Sequence, residues 1–331
     1  MSKPRLNHNH SYLPPQLAVI VPAYKTEFLS EAIEPFIEYA RRGQLALYVF
    51  DDASPHDVTG VVQRWHAVNG FYFHRFDENL GGRNLAQHWN RCIDATHEPW
   101  IWLFSDDDRV SQVTVDKVLD ALHSASQDTL LAIELVLINA QGRRVGPIFE
   151  LPAQESALAF ATERLNGRRK VCAADHVFSR HAYKAIGHFA SFPKAWYSDE
   201  IAWHQMACLG QGVRRIDEAL VEFRISPVSI SGSHSHDDEK QLAQRQAVRY
   251  WVRYAQNEPR LDQHALVRWR RLGLLASGVN PCSIAGWRHL RAMQVPPLQA
   301  VIDMFAAMNI KAHVIIQNLS RRITAPNEED R

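Results

Sequence analysis

Short apolar runs alternate with segments of helical periodicity in the first third of the chain. The apolar runs span residues 17–22, 45–50, 71–76 and 100–104, and each is followed by turn or polar residues. Runs of this length with such boundaries are typical of buried strands. Between the first three runs, apolar residues recur three or four positions apart, and each helical segment stops near a glycine, Gly43 or Gly70. This alternation predicts an α/β fold with a Rossmann-like, mostly parallel sheet flanked by helices.

Polar residues follow each of these runs, at the edge where a parallel sheet binds its ligands. Tyr24 follows the first run, Asp51 and Asp52 the second, residues 79–84 the third, and Asp106, Asp107 and Asp108 the fourth. Three adjacent carboxylates repel one another unless a cation lies among them. Mg²⁺ and Mn²⁺ prefer oxygen ligands and would fit this position. For the triplet alone, a solvated acidic turn before the helix expected from Ser111 onward is the alternative.

The turn after the first run excludes two common phosphate-binding loops. It reads Val-Pro-Ala-Tyr-Lys-Thr over residues 21–26 and contains no glycine, so it is not the G-x-G-x-x-G turn of a dinucleotide-binding fold. The sequence also has no Walker-type loop. The carboxylates suit recognition of a base and a ribose, with a metal ion bridging a diphosphate.

Several segments, in order along the chain, resemble the signatures of family 2 glycosyltransferases of the GT-A fold. They are residues 18–24 (Ala-Val-Ile-Val-Pro-Ala-Tyr), 50–54 (Phe-Asp-Asp-Ala-Ser), 79–84 (Asn-Leu-Gly-Gly-Arg-Asn), 103–108 (Leu-Phe-Ser-Asp-Asp-Asp), 174–189, 197–203 (Tyr-Ser-Asp-Glu-Ile-Ala-Trp) and 220–224 (Leu-Val-Glu-Phe-Arg). The resemblance covers residues 17–236, about two-thirds of the chain. It departs at Ser105, where the family often has an acidic residue, and this leaves open which of the next three aspartates would bind a metal.

The resemblance implies a donor site and a metal site at the sheet edge. The donor-nucleotide residues would be Pro22, Ala23, Tyr24, Asp51, Asp52, Arg83, Asp106 and Asp107, and the metal ligands Asp106, Asp107 and Asp108 with His234 or His236. Asp51 and Asp52 would accept hydrogen bonds from base and ribose, and Arg83 would pair with phosphate or stack on the base. The alternatives are a surface arginine at position 83 and solvated loop histidines at positions 234 and 236.

Asp199 and Glu200 are the candidate catalytic residues on the acceptor side. Within the resemblance, Asp199 would be the general base that deprotonates an acceptor hydroxyl, with Glu200 as its rival. From the residues alone, Asp199 is a good N-cap for the helical stretch that follows it. The resemblance implies an inverting, metal-dependent transfer from a nucleotide sugar, expected to be a UDP-sugar, to a glycan or lipid-linked acceptor of a bacterial cell-surface polysaccharide. A non-catalytic nucleotide- or glycan-binding protein and a sugar nucleotidyltransferase stay open as alternatives.

Composition bounds the class and the location of the protein. The chain has 331 residues, 46% of them hydrophobic, and a formal net charge of +1, as ordinary globular proteins have. It contains no run of about 18 apolar residues, the length that a transmembrane helix needs, and its N-terminus lacks an apolar signal core. Its four cysteines, Cys92, Cys172, Cys208 and Cys282, form no C-x-x-C pair and are expected to be reduced and mostly buried. These features favour the cytoplasm.

Residues 245–325 are rich in arginine, with tryptophan and tyrosine interleaved. Arg245, Arg249 and Arg253 repeat at four-residue spacing, which predicts a basic stripe on one helix face. Such a helix can rest on the anionic inner face of the cytoplasmic membrane, and the alternative is a packed helical cap with solvated arginines; no nucleic acid is expected as a partner. The expected organisation is a disordered tail (1–16), a catalytic domain (17–236, with a nucleotide-binding half at 17–110 and an acceptor half at 111–236), a helical C-terminal region (237–325) and a short tail (326–331).

Overall fold

The computed structural model of the chain describes residues 15–225 and 237–261. The strands among these residues are β1 (Leu17–Ala23), β2 (Ala46–Asp51), β3 (Phe71–Arg75), β4 (Trp100–Leu103), β5 (Arg109–Val110), β6 (Leu130–Ile138), β7 (Gln154–Glu155), β8 (His176–Ser179) and β9 (Val213–Arg224). The helices are α1 (Leu29–Arg41), α2 (Val58–Val62), α3 (Gly81–Asp94), α4 (Gln112–Leu122), α5 (Ala157–Leu165), α6 (Arg180–Ala185), α7 (Ser198–Ala207) and α8 (Asp237–Asn257). All four strands and both helices expected in the first third are present, within a few residues of their expected bounds.

One mixed sheet organises the described part of the chain. Its strand order is β3-β2-β1-β4-β8-β6-β9-β5, and β7 pairs with β9 at the side of this path. The first four strands run parallel, with β1 between β2 and β4. In the second half, β8 is antiparallel to β4 and β6, whereas β6 and β9 run parallel. The α/β fold expected from the sequence is therefore confirmed, and its first four strands form the purely parallel part of the sheet.

Two hydrophobic layers cover the two faces of this sheet. Alternate residues of β1 point to opposite faces: Val19 and Val21 join the layer of α1, α2 and α4, whereas Ala18 and Ile20 join the layer of α3, α6 and α7. All four are fully buried. A strand with helices on both faces is apolar at every position, and this explains why the strands appear as unbroken apolar runs in the sequence.

A third hydrophobic cluster joins α8 to the rest of the described chain. Ala161 of α5, Ile201 of α7 and Trp251 of α8 are buried in it together. Trp251 is fully buried, so it belongs to this core and is not an interfacial aromatic, whereas Arg249 and Arg253 are exposed on the same helix. The expected domain boundary between residues 236 and 237 stays a prediction.

Some expectations fall outside the described residues. These include His234 and His236, Cys282, most of the N-terminal tail and the arginine-rich region beyond residue 261. Within residues 15–225 and 237–261, Cys92 and Cys172 are buried free thiols, as expected, whereas Cys208 at the end of α7 is exposed. In the same ranges, no helix is both long and apolar enough to cross a membrane.

Candidate active site

Asp106 connects the end of β4 to the turn after β1. Its Oδ2 atom accepts hydrogen bonds from the backbone N–H groups of Tyr24 (2.9 Å) and Lys25 (2.8 Å). Burial, followed by the neighbouring Asp107 carboxylate, raises the pKa of Asp106 to about 6. One oxygen of this carboxylate therefore holds the predicted nucleotide-binding turn in place, and its remaining lone pairs are the part that a ligand could use.

Asp107 and Asp108 have different surroundings. Asp108 is buried and accepts the backbone N–H of Arg224 at 2.9 Å, and burial and the Asp107 carboxylate hold its pKa well above the usual range. Asp107 keeps 14% of its side chain exposed, with Ser105 Oγ donating to it at 2.6 Å and Lys25 Nζ 3.8 Å from its other oxygen. Asp107 is therefore partly exposed, as Asp106 is and Asp108 is not, and Ser105 orients it.

The donor set at this motif suits a hard cation only in part. All three candidate ligands are carboxylates, the ligand type that Mg²⁺ and Mn²⁺ prefer. Burial, followed by the charge of the neighbouring Asp107, raises the pKa of both Asp106 and Asp108, and a bound cation would oppose this rise. Within residues 15–225 and 237–261, however, no group of three acidic, histidine or cysteine side chains is arranged to hold a metal ion by itself. The residues fit a cation that takes its remaining ligands from a bound diphosphate.

Asp51 and Asp52, at the end of β2, are held by the protein itself. The guanidinium of Arg75 donates to Asp51 Oδ2, and the backbone N–H of Ser54 donates to Asp51 Oδ1 at 2.8 Å. Asp52 accepts the guanidinium of Arg91 and, at 2.9 and 2.8 Å, the backbone N–H groups of residues 80 and 81. Both carboxylates are almost inaccessible. In this arrangement they shape the walls of the predicted base pocket, and their predicted contact with the nucleotide stays a prediction.

The loop of residues 79–84 requires its two glycines because it packs against polar side chains. A Cβ at Gly81 would lie 2.6 Å from Asp52 Oδ2, and a Cβ at Gly82 would lie 2.6 Å from the side-chain oxygen of Asn79. Asn79 accepts the backbone N–H of Gly82 at 2.6 Å. Arg83 is 67% exposed and paired with Glu78. An exposed arginine in a surface ion pair is what the alternative for Arg83 predicted. The side chain is nevertheless long and exposed enough to reach a ligand.

The other predicted donor residues lie at the start of the same edge. Ala23 is fully buried at the end of β1, next to Asp51 in the parallel register. Pro22 is half-buried. Tyr24 is 40% exposed, and its ring meets His56 edge-to-face at 6.2 Å. Of these three, Tyr24 offers a free aromatic face to a ligand, while Pro22 and Ala23 set the direction of the backbone.

The acidic pair on the acceptor side is divided between two environments. Asp199 and Glu200 lie in the first turn of α7, and the N-cap is Tyr197, so Asp199 is not the cap residue. Glu200 is 1% exposed. Its two oxygens accept from Arg164 Nε at 2.7 Å and from Trp251 Nε1 at 3.1 Å. Asp199 is half-buried and accepts the Glu200 backbone N–H at 2.8 Å. No ion pair involves Asp199 in the described part of the chain.

The environment of Asp199 suits a proton acceptor. Burial, followed by the carboxylates of Glu200 and Asp175, raises its pKa to about 7, despite the Glu200 N–H and the Arg164 charge, which oppose the rise. A general base is most effective when its pKa lies near the working pH. Asp199 is therefore partly exposed and has a pKa near neutrality, whereas Glu200 is buried.

Two features connect the acceptor side to the donor edge. Lys194 Nζ donates to the backbone oxygen of Gly82 at 3.1 Å. The buried Cys172 thiol has a pKa well above its usual range because of burial and then because of Asp175, Asp108 and Asp199. The thiol thus lies within electrostatic range of both Asp108 and Asp199.

The segment before Asp199 carries backbone strain. Lys194, Ala195 and Tyr197 have φ values of 52°, 55° and 68°, which side-chain-bearing residues rarely adopt. Such conformations cost roughly 1–3 kcal/mol each and persist where the surrounding packing imposes them, often at functional sites. Here they turn the chain at residues 194–197 into the first turn of α7.

Sequence reasoning missed four side chains that the structure adds to the site. Arg75 supports Asp51, Lys25 lies beside Asp107, and Arg164 and Trp251 hold Glu200. Arg75 and Lys25 stand at strand ends, so position alone could have drawn attention to them. Arg164 and Trp251 are far from any motif and carried no sequence signal.

Solved structures of S. aureus TarS and of a mannosyltransferase share this fold. S. aureus TarS 1-349 in complex with UDP-GlcNAc matches with a TM-score of 0.55 and 12% identity, covering 90% of this chain and 92% of that chain. A longer S. aureus TarS structure matches 86% of this chain at a TM-score of 0.54 and 14% identity; the chain spans only 50% of its length. The mannosyltransferase PcManGT from Pyrobaculum calidifontis, in complex with GDP-Man and Mn²⁺, matches with a TM-score of 0.51 and 16% identity, covering 90% of this chain and 81% of that chain.

Comparison by sequence assigns the chain to no protein family. No protein-family model and no curated protein matches the chain. At identities of 12–16%, the structural likeness establishes the fold alone. The chain thus has a glycosyltransferase fold.

Proposed function

We propose that this protein is an inverting, family 2 glycosyltransferase that moves a sugar from a nucleotide sugar to a hydroxyl group of a glycan or lipid-linked acceptor. The observation that carries the proposal is the contact between the segment before α7 and the loop of residues 79–84, where Lys194 Nζ donates to the Gly82 backbone oxygen at 3.1 Å. Asp108 and Asp199 also both raise the pKa of the buried Cys172 thiol. A site that transfers a sugar needs an anionic motif for the metal-bound diphosphate and a separate base for the acceptor. The fold shared with nucleotide-sugar transferases supports the same interpretation.

On the donor side, the proposed roles follow from accessibility. Asp107, with the free lone pairs of Asp106, would hold a divalent cation together with the donor's diphosphate. When bound, such a cation offsets the negative charge that develops on the nucleoside-diphosphate leaving group. Tyr24 would cover the base, and Lys25 would pair with a phosphate oxygen.

On the acceptor side, Asp199 would remove the hydroxyl proton as the acceptor oxygen attacks the anomeric carbon. The bond from that carbon to the diphosphate oxygen breaks at the opposite face, so the configuration inverts. One base on the acceptor side and one leaving-group site on the donor side are sufficient for this single displacement. Glu200, enclosed by Arg164 and Trp251, would not be the base.

The acceptor and the place of action belong to the same proposal. A glycan or lipid-linked acceptor and contact of the basic C-terminal region with an anionic membrane face are part of the proposal. The exposed Arg249 and Arg253 on α8 are the described residues that support such contact.

A screen of donors tests the proposal. Purified protein is incubated with UDP-GlcNAc, UDP-glucose, UDP-galactose, GDP-mannose and CMP-sialic acid, with Mn²⁺ or with a chelator, and free nucleotide is measured. We expect metal-supported release of nucleoside diphosphate from at least one donor, with a matching rise in melting temperature on binding. Binding without release would favour the non-catalytic alternative, and binding with no metal effect would remove the metal from the proposal.

A further inference from the structure

The carboxylate of Glu200 is held on both sides by helices that come from distant parts of the chain. Arg164 of α5 approaches one oxygen with two nitrogens, at 2.7 Å from Nε and 2.6 Å from a terminal nitrogen. Trp251 of α8 donates to the other oxygen at 3.1 Å. Glu200 is 1% exposed and Trp251 is fully buried. A buried carboxylate with an ion pair on one oxygen and an indole N–H on the other has no freedom to rotate.

Resting on the proposed function, we propose that Arg164, Glu200 and Trp251 form a clamp that positions Asp199 and balances the charge around it. The clamp acts through the first turn of α7. The Glu200 backbone N–H donates to Asp199 Oδ1, so the orientation of Glu200 sets the orientation of the Asp199 carboxylate. α8 is thereby a part of the catalytic unit, because one of the three clamp residues comes from it.

The strained backbone before α7 explains why a clamp is needed. Ala195 and Tyr197 have positive φ values, and the N-cap position of α7 is occupied by Tyr197 without a side-chain capping bond. A short polar side chain at the N-cap position usually fixes the first turn of a helix. The first turn of α7 lacks such a bond. The side chain of Glu200 supplies it from inside the fold.

The clamp also sets the balance of charge around Asp199. In the described residues, the charged groups that act on Asp199 include Glu200 on its own helix, Asp175 before β8 and Arg164 on α5. The buried Cys172 thiol is a further titratable group in electrostatic contact with Asp199. Glu200 and Asp175 raise the pKa of Asp199, and Arg164 lowers it. α8 contributes Trp251, which is neutral. Removing one charge of the clamp should therefore move the Asp199 titration in a direction set by the sign of that charge.

Four substitutions separate positioning from charge. Trp251→Phe keeps most of the packing and removes the N–H without a change in charge; it should lower kcat by roughly 10- to 100-fold through misplacement of the base. Its donor KM and the pH of its acid limb should stay as in the wild type. Arg164→Gln should move the acid limb of kcat to higher pH, and Glu200→Gln should move it to lower pH. Arg164→Lys keeps the charge and should restore the wild-type limb.

A matched control lies one residue away on the same helix. Tyr250 contacts His204 Nδ1 through its hydroxyl at 2.5 Å, so Tyr250→Phe removes a single α8–α7 hydrogen bond that does not involve Glu200. We expect it to leave kcat and the pH profile unchanged. Equal kcat values for Trp251→Phe and Tyr250→Phe would overturn the positioning role of Trp251.

A measurement without turnover keeps the inference separate from the proposed function. The ¹³C chemical shifts of aspartate side-chain carboxyls are followed by NMR against pH in the full-length protein, and Asp199→Asn identifies the Asp199 signal. The Asp199 midpoint should rise in Arg164→Gln and fall in Glu200→Gln. If both variants titrate as the wild type does, the clamp has no influence on Asp199. If instead the midpoints move as expected while Asp199→Asn keeps full activity, the clamp stands and the proposed base is wrong.

Discussion

The carboxylates of two regions are bound differently by the protein. The first region is the proposed donor edge, at the ends of β1, β2 and β4, and the second is the proposed acceptor wall, in the first turn of α7. At the donor edge, Asp51, Asp52 and Asp108 are enclosed by guanidinium and backbone N–H groups. On the acceptor wall, the enclosed member is Glu200, and its neighbour Asp199 is left with a raised pKa and no ion pair within the described residues.

The difference separates carboxylates that hold the site together from carboxylates that can act on a ligand. A carboxylate that accepts several internal hydrogen bonds builds the site, because each bond uses acceptor capacity that a ligand would need. A carboxylate that stays partly exposed and accepts few internal hydrogen bonds keeps acceptor capacity for a ligand and is the candidate for chemistry. On this criterion Asp107 is the reactive member at the donor edge and Asp199 at the acceptor wall.

The largest expected effect is on the acceptor wall. Asp199→Asn keeps the shape of the side chain but cannot take a proton, so transfer should fall by roughly 10²–10⁴-fold, the contribution of a positioned general base. Donor affinity, measured by calorimetry with the same nucleotide, should be nearly unchanged. Normal transfer by this variant would return Asp199 to a structural role in the first turn of α7.

At the donor edge, Asp107 is expected to matter most for metal-supported binding. Asp107→Asn should weaken nucleoside-diphosphate binding in Mn²⁺ by at least tenfold, about 1.4 kcal/mol, and should make the residual affinity insensitive to a chelator. Ser105→Ala serves as the control, because it removes only the hydrogen bond to Asp107 and should cause a smaller loss. If Asp107→Asn keeps a full metal response, another carboxylate of the triplet is the principal ligand.

Asp52 should affect stability more than chemistry. Asp52→Ala removes the acceptor of two backbone N–H groups and of Arg91, so the free energy of unfolding should fall by about 2–4 kcal/mol. Denaturant unfolding measures this loss. Asp57→Ala is the matched control, since Asp57 accepts one backbone N–H, that of Gly60, at the exposed start of α2; it should cost about 1 kcal/mol. Similar losses in the two variants would contradict the structural role of Asp52.

A pH dependence of stability is also expected at Asp199. Its pKa is about 7 in the folded protein and about 3.9 when unfolded. Between these values the folded state holds a proton that the unfolded state has lost, so the contribution of this group to stability falls as pH rises from about 4 to 7. Asp199→Asn should therefore gain stability relative to the wild type at pH 8 compared with pH 5. A difference in melting temperature that is the same at both pH values would argue against the raised pKa.

The sequence predicted the parallel half of the fold because periodicity and strand ends carry that information locally. The strands that contain Val19, Tyr48, Phe73 and Trp102 were expected from their apolar runs, and the polar edge followed from the geometry of parallel sheets. The antiparallel strands β5 and β7 have two residues each and leave no periodic signal. Their place in the sheet depends on long-range pairing with β9.

The site was predicted as a set of residues, and its internal division of labour was not. Asp106, Asp107 and Asp108 look equivalent in the sequence, and only the packing of Arg224 and the turn at Lys25 distinguishes them. The same holds for Asp199 and Glu200, which differ because Trp251, from α8, reaches the second and not the first. Such partners are set by tertiary contacts, which a sequence pattern does not encode.

The most direct test of the central claim is an NMR experiment on one reaction mixture. The protein is mixed with Mn²⁺ and the donor found by the screen, and phosphorus signals are followed together with the anomeric proton of the released or transferred sugar. The account predicts nucleoside diphosphate as the phosphorus product and, from an α-configured donor, a first sugar product in the β configuration. Release of pyrophosphate, or a first product that retains the α configuration, would contradict it.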